Sequence, residues 1–291
     1  DLPGLGKNYI RYEYDLISGN VTEVAYNEYR NDRFFHRYTY DAMNRLQVAE
    51  TSRDGVIWDR DAKYSYYAHG PLKRMELGED LVQGVDYTYT AQGWLKAINH
   101  PNLDDQSLDP GEDGTAGSDF ERDVFGMSLG YFNGDYDGTV NGTPDPFSGY
   151  NYLNDAGSSP DFDLYNGNIG SVTSAVWSEG ATTTPVSFSY RYDYLNRLKE
   201  TENLTAGIGS GGAQYTPSDH SATRYTYDAN GNIHYLERRD ATGGVADDLT
   251  YTYDDPDLPT PNNRLSEVDD GATGLNDDDL FLDNTIYDYS Y

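Results

Sequence analysis

The sequence predicts an all-β protein, built from repetitive antiparallel β-hairpins that form a twisted or spiral sheet. Three observations carry this. A Tyr-Asp heptad recurs, as Tyr40-Asp41-Ala42-Met43-Asn44-Arg45-Leu46, Tyr192-Asp193-Tyr194-Leu195-Asn196-Arg197-Leu198 and Tyr227-Asp228-Ala229-Asn230-Gly231-Asn232-Ile233. Around each copy, residues alternate with a period of two. Tyrosine also dominates the aromatics, with 29 Tyr against nine Phe and three Trp. Its ring packs on a sheet while its hydroxyl reaches water or a backbone carbonyl.

Each unit reads as strand, turn, strand. Tyr38-Thr39-Tyr40 is the incoming strand, Asp41 to Asn44 the turn, and Arg45 to Ala49 the outgoing strand with Leu46 and Val48 on one face. The aspartate can accept backbone N–H groups across the turn, and Asn or Gly tolerates left-handed dihedrals. A looser copy starts at Tyr14-Asp15, and another lies at Tyr253-Asp254. Copies at Tyr66-Tyr67 and Tyr89-Thr90 replace the aspartate and keep the polar turn. Tyr14, Tyr40 and Tyr66 are spaced 26 residues apart, about one hairpin plus its return connection. Longer intervals later in the chain are read as inserted loops, one around 207–219 and one at 254–263.

Residues 99–170 break this rhythm. The chain is therefore read as a single repeat region, 1–291, carrying an irregular Asp/Gly-rich insertion at about 99–170. Within it, Phe125, Met127, Leu129 and Tyr131 alternate as a strand with one buried face, and Tyr165 to Gly170 forms a tight turn into another strand. Asn133, Asp135 and Asp137, followed by Asn141 and Asp145, offer clustered oxygen donors for Ca2+. The closing glutamate of a helical calcium loop is missing, and an exposed acidic turn is the competing reading. Asp269-Asp270 and Asp277 to Asp279 read as solvated acidic loops.

The formal charge is −30, from 50 acidic and 20 basic side chains. Such a chain lacks the positive footprint of a nucleic-acid or anionic-membrane binder. Cations, basic proteins and neutral glycans fit better. The absence of cysteine removes disulfides and thiolate chemistry. No apolar run is long enough for a transmembrane helix. No nucleophile elbow or phosphate loop is present, and the five histidines have no ligand spacing, so no catalytic residue is assigned. Trp58, Trp94 and Trp177 are candidate rings for stacking on a sugar or anchoring a protein interface, against the alternative that they pack the sheet.

The Tyr-Asp repeats, with their trailing Asn-Arg-Leu or Gly-Asn, resemble the Rhs or YD-repeat family over residues 9–100 and 163–291. The resemblance implies a spiral β-sheet that can close into a hollow shell, a structural role for the motif, and an extracellular or cell-surface bacterial setting. Its implied partners are the remainder of a larger Rhs-type protein, a chain pairing with its β edges, or an enclosed toxin or other passenger. The family's aspartate-containing self-cleavage motif is not visible in this sequence. A non-enzymatic shell or scaffold segment is thus the leading expectation; a cell-surface or secreted module binding glycan or protein is the alternative.

Overall fold

A computed structural model describes residues 7–150, 163–180, 183–209, 212–253, 263–272 and 287–288, with the backbone alone for 205–209, 212–220 and 287–288. The described residues form β-strands that pair antiparallel and contain no α-helix, only single 3-10 turns at Gln106–Leu108 and Ser148–Tyr150. Contacts divide the chain into two compact units. The first holds Asp1–Met127, Gly138–Pro146 and Val176–Thr183; the second holds Ser128–Asp137, Phe147–Ala175 and Thr184–Tyr291.

The first unit is a meander of strands β1 (Ile10–Tyr14), β2 (Val21–Tyr26), β3 (Phe34–Tyr40), β4 (Leu46–Ser52), β5 (Asp59–Tyr66), β6 (Leu72–Leu77), β7 (Gln83–Tyr89) and β8 (Leu95–Ile98). Each pairs with the next. Strand β9 (Phe125–Gly130) follows, then a small hairpin of β10 (Thr139–Val140) and β11 (Thr143–Pro144). The second unit repeats the meander with β12 (Ser171–Val176), β13 (Val186–Tyr192), β14 (Leu198–Gly209), β15 (Gly212–Tyr227), β16 (Ile233–Arg239), β17 (Val245–Tyr253), β18 (Leu265–Asp270) and β19 (Tyr287–Asp288).

The core is made largely of small and polar side chains. Ala25, Ala62, Ala97, Ala175 and Ala222 are buried, as are Thr88, Thr173, Ser187 and Ser189. Thr173 and Ser187 share a hydroxyl hydrogen bond of 2.8 Å. Half-buried tyrosines supply most of the larger rings, consistent with a ring that packs and a hydroxyl that bonds.

Rows of opposite charge run across the strands. In the second unit Arg191, Glu200, Arg224 and Glu237 sit opposite one another on β13 to β16, and their side chains pair at 3.1, 2.9 and 2.8 Å. Such cross-strand pairs fix register more than they add stability.

Three sequence expectations change. Asp269 and Asp270, read as a solvated loop, are the end of strand β18, and Asp270 is buried. The segment 207–219 is no inserted loop: β14 and β15 continue through it as a long hairpin, with Leu204 opposite Pro217 and Gly209 opposite Gly212. The 254–262 loop and Asp277 to Asp279 lie outside the described residues. On β9 the expected face is only partly buried. Phe125 is exposed and Met127 half-buried, whereas Gly126, Ser128 and Gly130 are buried beside Leu129. A Cβ at Gly126 would collide with the His100 carbonyl, so close backbone contact, not side-chain alternation, sets this strand.

Candidate functional site

The repeat motif builds one local device several times. At its tyrosine each hairpin carries a register shift, seen at Tyr14, Tyr40, Tyr66, Tyr89, Tyr192, Tyr227 and Tyr253. A bulge there bends the strand, and the ring is half-buried in every copy but Tyr14. The hydroxyl then donates to a carbonyl at, or just before, the start of the preceding strand. Tyr40 donates to Val21 at 2.8 Å, Tyr66 to Leu46 at 2.7 Å, Tyr192 to Ile169 at 3.0 Å and Tyr227 to Leu198 at 2.6 Å.

The aspartate follows the bulge. Asp41 closes its turn through its own backbone, with its N–H on the Arg45 carbonyl at 2.9 Å. Its Oδ1 accepts the N–H groups of Met43 and Arg45 at 2.8 and 2.9 Å, and its Oδ2 accepts Nε of Arg45 at 2.8 Å. Asp193 repeats this with Leu195 and Arg197, and Asp228 with Asn230 and Asn232. The fourth residue must be left-handed: Asn44 has φ 61°, Asn196 62° and Gly231 94°. The Arg45 guanidinium lies 4.3 Å over the Tyr66 ring and Arg197 lies 4.4 Å over Tyr227, so each turn also grips the next motif tyrosine. The Arg45 N–H, then its guanidinium, hold Asp41 below the ordinary carboxylate pKa despite opposing desolvation.

Asp15 makes a looser turn with Ile17 and Ser18, and Tyr14 is exposed. Tyr253 is half-buried, and Asp254 lies outside the described residues. Sequence reasoning missed a further copy, Asp240 to Gly244, in which Asp240 Oδ1 accepts Thr242 and Gly244 N–H groups at 2.8 and 2.9 Å. No tyrosine precedes it; the Asp-x-x-Gly spacing was its only signal.

The proposed calcium ligands divide between the units. Asp135, buried in the second unit, accepts the Tyr131 N–H at 2.8 Å. Asn133 donates its N–H to Asp163 at 2.7 Å, and Asp137 is on the same segment. In the first unit Asn141 and Gly142 both take positive φ, 49° and 82°, in the tight turn of the β10–β11 hairpin. The Asn141 amide donates to the Asp109 carbonyl at 2.6 Å, and the Asp145 N–H donates to Gly138 at 2.8 Å.

Trp58, Trp94 and Trp177 are all half-buried. Arg37 lies 4.2 Å over Trp58, which meets Phe35 edge-on, and Arg122 lies 5.5 Å over Trp177.

Carboxylates converge elsewhere, in the first unit. One oxygen from each of Asp86, Asp109 and Asp113, all buried, lies within 4.8 Å of the others. Arg74 bridges Asp86 and Asp113, the latter at 2.7 Å, and lies 4.6 Å over the Phe120 ring. A Cβ at Gly84 or Gly111 would overlap this guanidinium, so both glycines make room for it. Asp123 joins the cluster and accepts Gln83 Nε2 and Asn99 Nδ2, both at 2.8 Å. Asn99, at φ 50°, also takes the Asp86 N–H at 2.7 Å.

Burial and then the Asp109 charge push Asp123 up to about 9; burial, outweighing Arg74, pushes Asp86 up to about 7. Burial likewise raises Asp109. For Arg74, burial disfavours the charged form, but Asp113 and Asp86 outweigh it and hold the guanidinium protonated. His100 is buried and held neutral, pushed down to about 4 by desolvation. Its Nδ1 accepts the Asn102 N–H, so Nε2 donates to the Pro146 carbonyl at 3.1 Å. No sequence spacing announced this cluster, because its members come from β6, β7 and the loop after β8.

Among the described residues no helix is long and apolar enough to cross a membrane. No family model matches the chain, and a search of curated proteins returned no match. Among solved structures the fold is similar to a crystal structure of TcdB2-TccC3-TEV, at 11% identity and a TM-score of 0.37, covering 90% of this chain and 11% of that one. It is also similar to a crystal structure of TcdB2-TccC3-Cdc42, at 10% identity and a TM-score of 0.26, covering 88% of this chain and 15% of that one. The chain thus spans well under a fifth of the length of either.

Proposed function

We propose that this chain is a non-enzymatic scaffold segment of an Rhs-type protein, forming part of a wall around a toxin or another passenger. The observation that carries the reading is how the motif residues are used. In the Tyr40-Asp41 and Tyr192-Asp193 copies the tyrosine hydroxyl, the aspartate carboxylate and the arginine guanidinium are all spent on backbone bonds, turn closure and ring contacts. Function then lies in the surface the array presents. The strongly acidic composition suits holding a basic or unfolded passenger, in an extracellular or cell-surface setting. Low-resolution electron microscopy of the intact parent protein tests this: an enclosed volume is expected, and a solid particle without one overturns it.

A second reading, a module binding glycan or protein, draws on β1. Tyr12 and Tyr14 are 50% and 54% exposed, and their rings stack at 6.3 Å. Glycan-array binding that is lost on Tyr12→Ala would favour this reading over the wall.

A further inference from the structure

The acidic cluster of the first unit has a charge balance that the turn array does not explain. Four carboxylates, of Asp86, Asp109, Asp113 and Asp123, face one guanidinium, that of Arg74. Buried charges are expected to be paired or to coordinate a metal. Arg74 bonds Asp86 and Asp113 directly and acts on Asp109 only through space.

Asp109 is the telling residue. It is 4% exposed, and its Oδ2 accepts the Gly111 and Asp113 N–H groups at 3.0 and 3.1 Å. Its Oδ1 is buried and receives no N–H or hydroxyl donor; it meets only the Asp123 carboxyl, which can bond to it only while that carboxyl keeps a proton. The side chain facing it is Asp123, another acceptor when ionised. Beside them lies a cavity of about 10 Å³ lined by His100, Asn102, Leu103, Gln106, Asp109, Asp113 and Asp123. That is room for one species the size of a water molecule.

We propose that this pocket binds a single Ca2+ through the carboxylates of Asp109, Asp113 and Asp123, with Asp86 at its edge. One oxygen each from Asp86, Asp109 and Asp113 lies within 4.8 Å of the others, close enough to converge on one ion at Ca–O distances of about 2.3–2.6 Å. Mg2+, at about 2.0–2.1 Å, requires a tighter cage and gives up its water reluctantly. Both ring nitrogens of His100 are committed, to Asn102 and to Pro146, which leaves an all-oxygen donor set suited to a hard cation. Gln106 and Asn102 on the cavity wall can add neutral oxygens. The ion ties β7 to the 105–123 loop, so it acts as a staple for a segment that has almost no regular structure of its own.

Calorimetric titration of the chain with CaCl2 at pH 7.5, after removal of bound metal with EDTA, tests this. One saturable site is expected, with Mg2+ at least tenfold weaker. Asp109→Asn should weaken Ca2+ at least tenfold, while an Asp135→Asn/Asp137→Asn variant keeps wild-type affinity. Asp123→Asn provides the same reading if Asp109→Asn does not fold, as judged by circular dichroism. Added Ca2+ should also raise Tm of the wild type and leave that of the pocket variant unmoved. No saturable heat in the wild type overturns the proposal, as does affinity that survives both pocket substitutions or disappears in the 135/137 variant. None of these outcomes bears on whether the parent encloses a passenger.

Discussion

Asp41 and Asp123 belong to the same unit, and their surroundings push them in opposite directions. Asp41 sits at the mouth of a hairpin, where two backbone N–H groups and a guanidinium donate to its carboxylate and lower its pKa. Asp123 is buried, receives two amide donors, and faces the carboxylates of Asp109, Asp113 and Asp86, so its pKa rises to about 9. An acid stabilises this protein where donors outnumber charges, and strains it where charges outnumber donors. The turns are self-sufficient; the loop cluster leans on the single guanidinium of Arg74.

The largest effect tests the cluster. Arg74→Leu leaves Asp86 and Asp113 buried without their cation and should cost about 3–5 kcal/mol at pH 7, the range for removing one partner of a buried ion pair. Urea unfolding in EDTA measures this. The loss should shrink at pH 5, where Asp86 binds a proton and no longer needs a partner. A pH-independent loss below 1 kcal/mol would mean that the cluster is solvated.

The repeat array comes next. Tyr227 is half-buried, lies under the Arg197 guanidinium and donates to the Leu198 carbonyl at 2.6 Å. Tyr227→Ala should cost about 2–4 kcal/mol, somewhat below the range for a fully buried ring. Tyr227→Phe removes only the hydroxyl and should cost about 1 kcal/mol. Equal losses for the two variants would place the whole effect in the hydrogen bond and none in packing.

A smaller effect separates the two regions by pH. Asp123 has a raised pKa in the folded chain, so its neutral form stabilises the fold fully below the unfolded value near 3.9. That contribution is lost as pH rises toward about 9. Asp123→Asn removes the titration and gives Asp109 Oδ1 an amide donor. In EDTA it should match wild type near pH 4 and exceed it at pH 8, because only the wild type's unfolded chain is favoured by ionising this residue. With Ca2+ present the gain should vanish. Thermal unfolding at the two pH values reads both arms.

The array was legible in the sequence because its rules are local. Tyr-Asp and an Asn or Gly three residues after the aspartate lie within one hairpin, and bulge, turn and left-handed residue follow from that spacing. What the motif tyrosine bonds to was not legible, since Val21 and Tyr40 are joined only once β2 and β3 are paired. The acidic cluster was hidden for the same reason: Arg74, Asp86, Asp113 and Asp123 meet across long stretches of chain. Clustering along the sequence drew attention to 133–145 instead, a stretch whose residues belong to two different units. Gly84 and Gly111 were passed over because a glycine's role as empty space shows only when something fills it. The 207–219 segment misled through its Gly and Pro content, which the long β14–β15 pairing overrides.

The smallest expected effect concerns the turn aspartate. Two natural copies manage without one. Tyr67 and Thr90 occupy its place, and both turns still close, with the Tyr67 N–H on Pro71 at 2.9 Å and the Thr90 N–H on Trp94 at 2.8 Å. At Tyr67 the backbone pattern and the left-handed Gly70 therefore suffice to form the turn, while Thr90 adds its hydroxyl as an acceptor for the Trp94 N–H at 3.2 Å. Asp41→Ala should lower Tm at pH 7 by less than Tyr227→Phe does. The pH dependence identifies its origin. Because the folded pKa of Asp41 is depressed, its contribution is present above the unfolded value near 3.9 and fades as pH falls through the folded one. Wild type and Asp41→Ala should therefore converge in thermal unfolding near pH 2. A difference that persists there would assign the loss to altered turn geometry rather than to the carboxylate's bonds with Met43 and Arg45. Asn44→Ala should then be the more damaging change, since it forces a Cβ-bearing residue without a local hydrogen bond into φ near 61°.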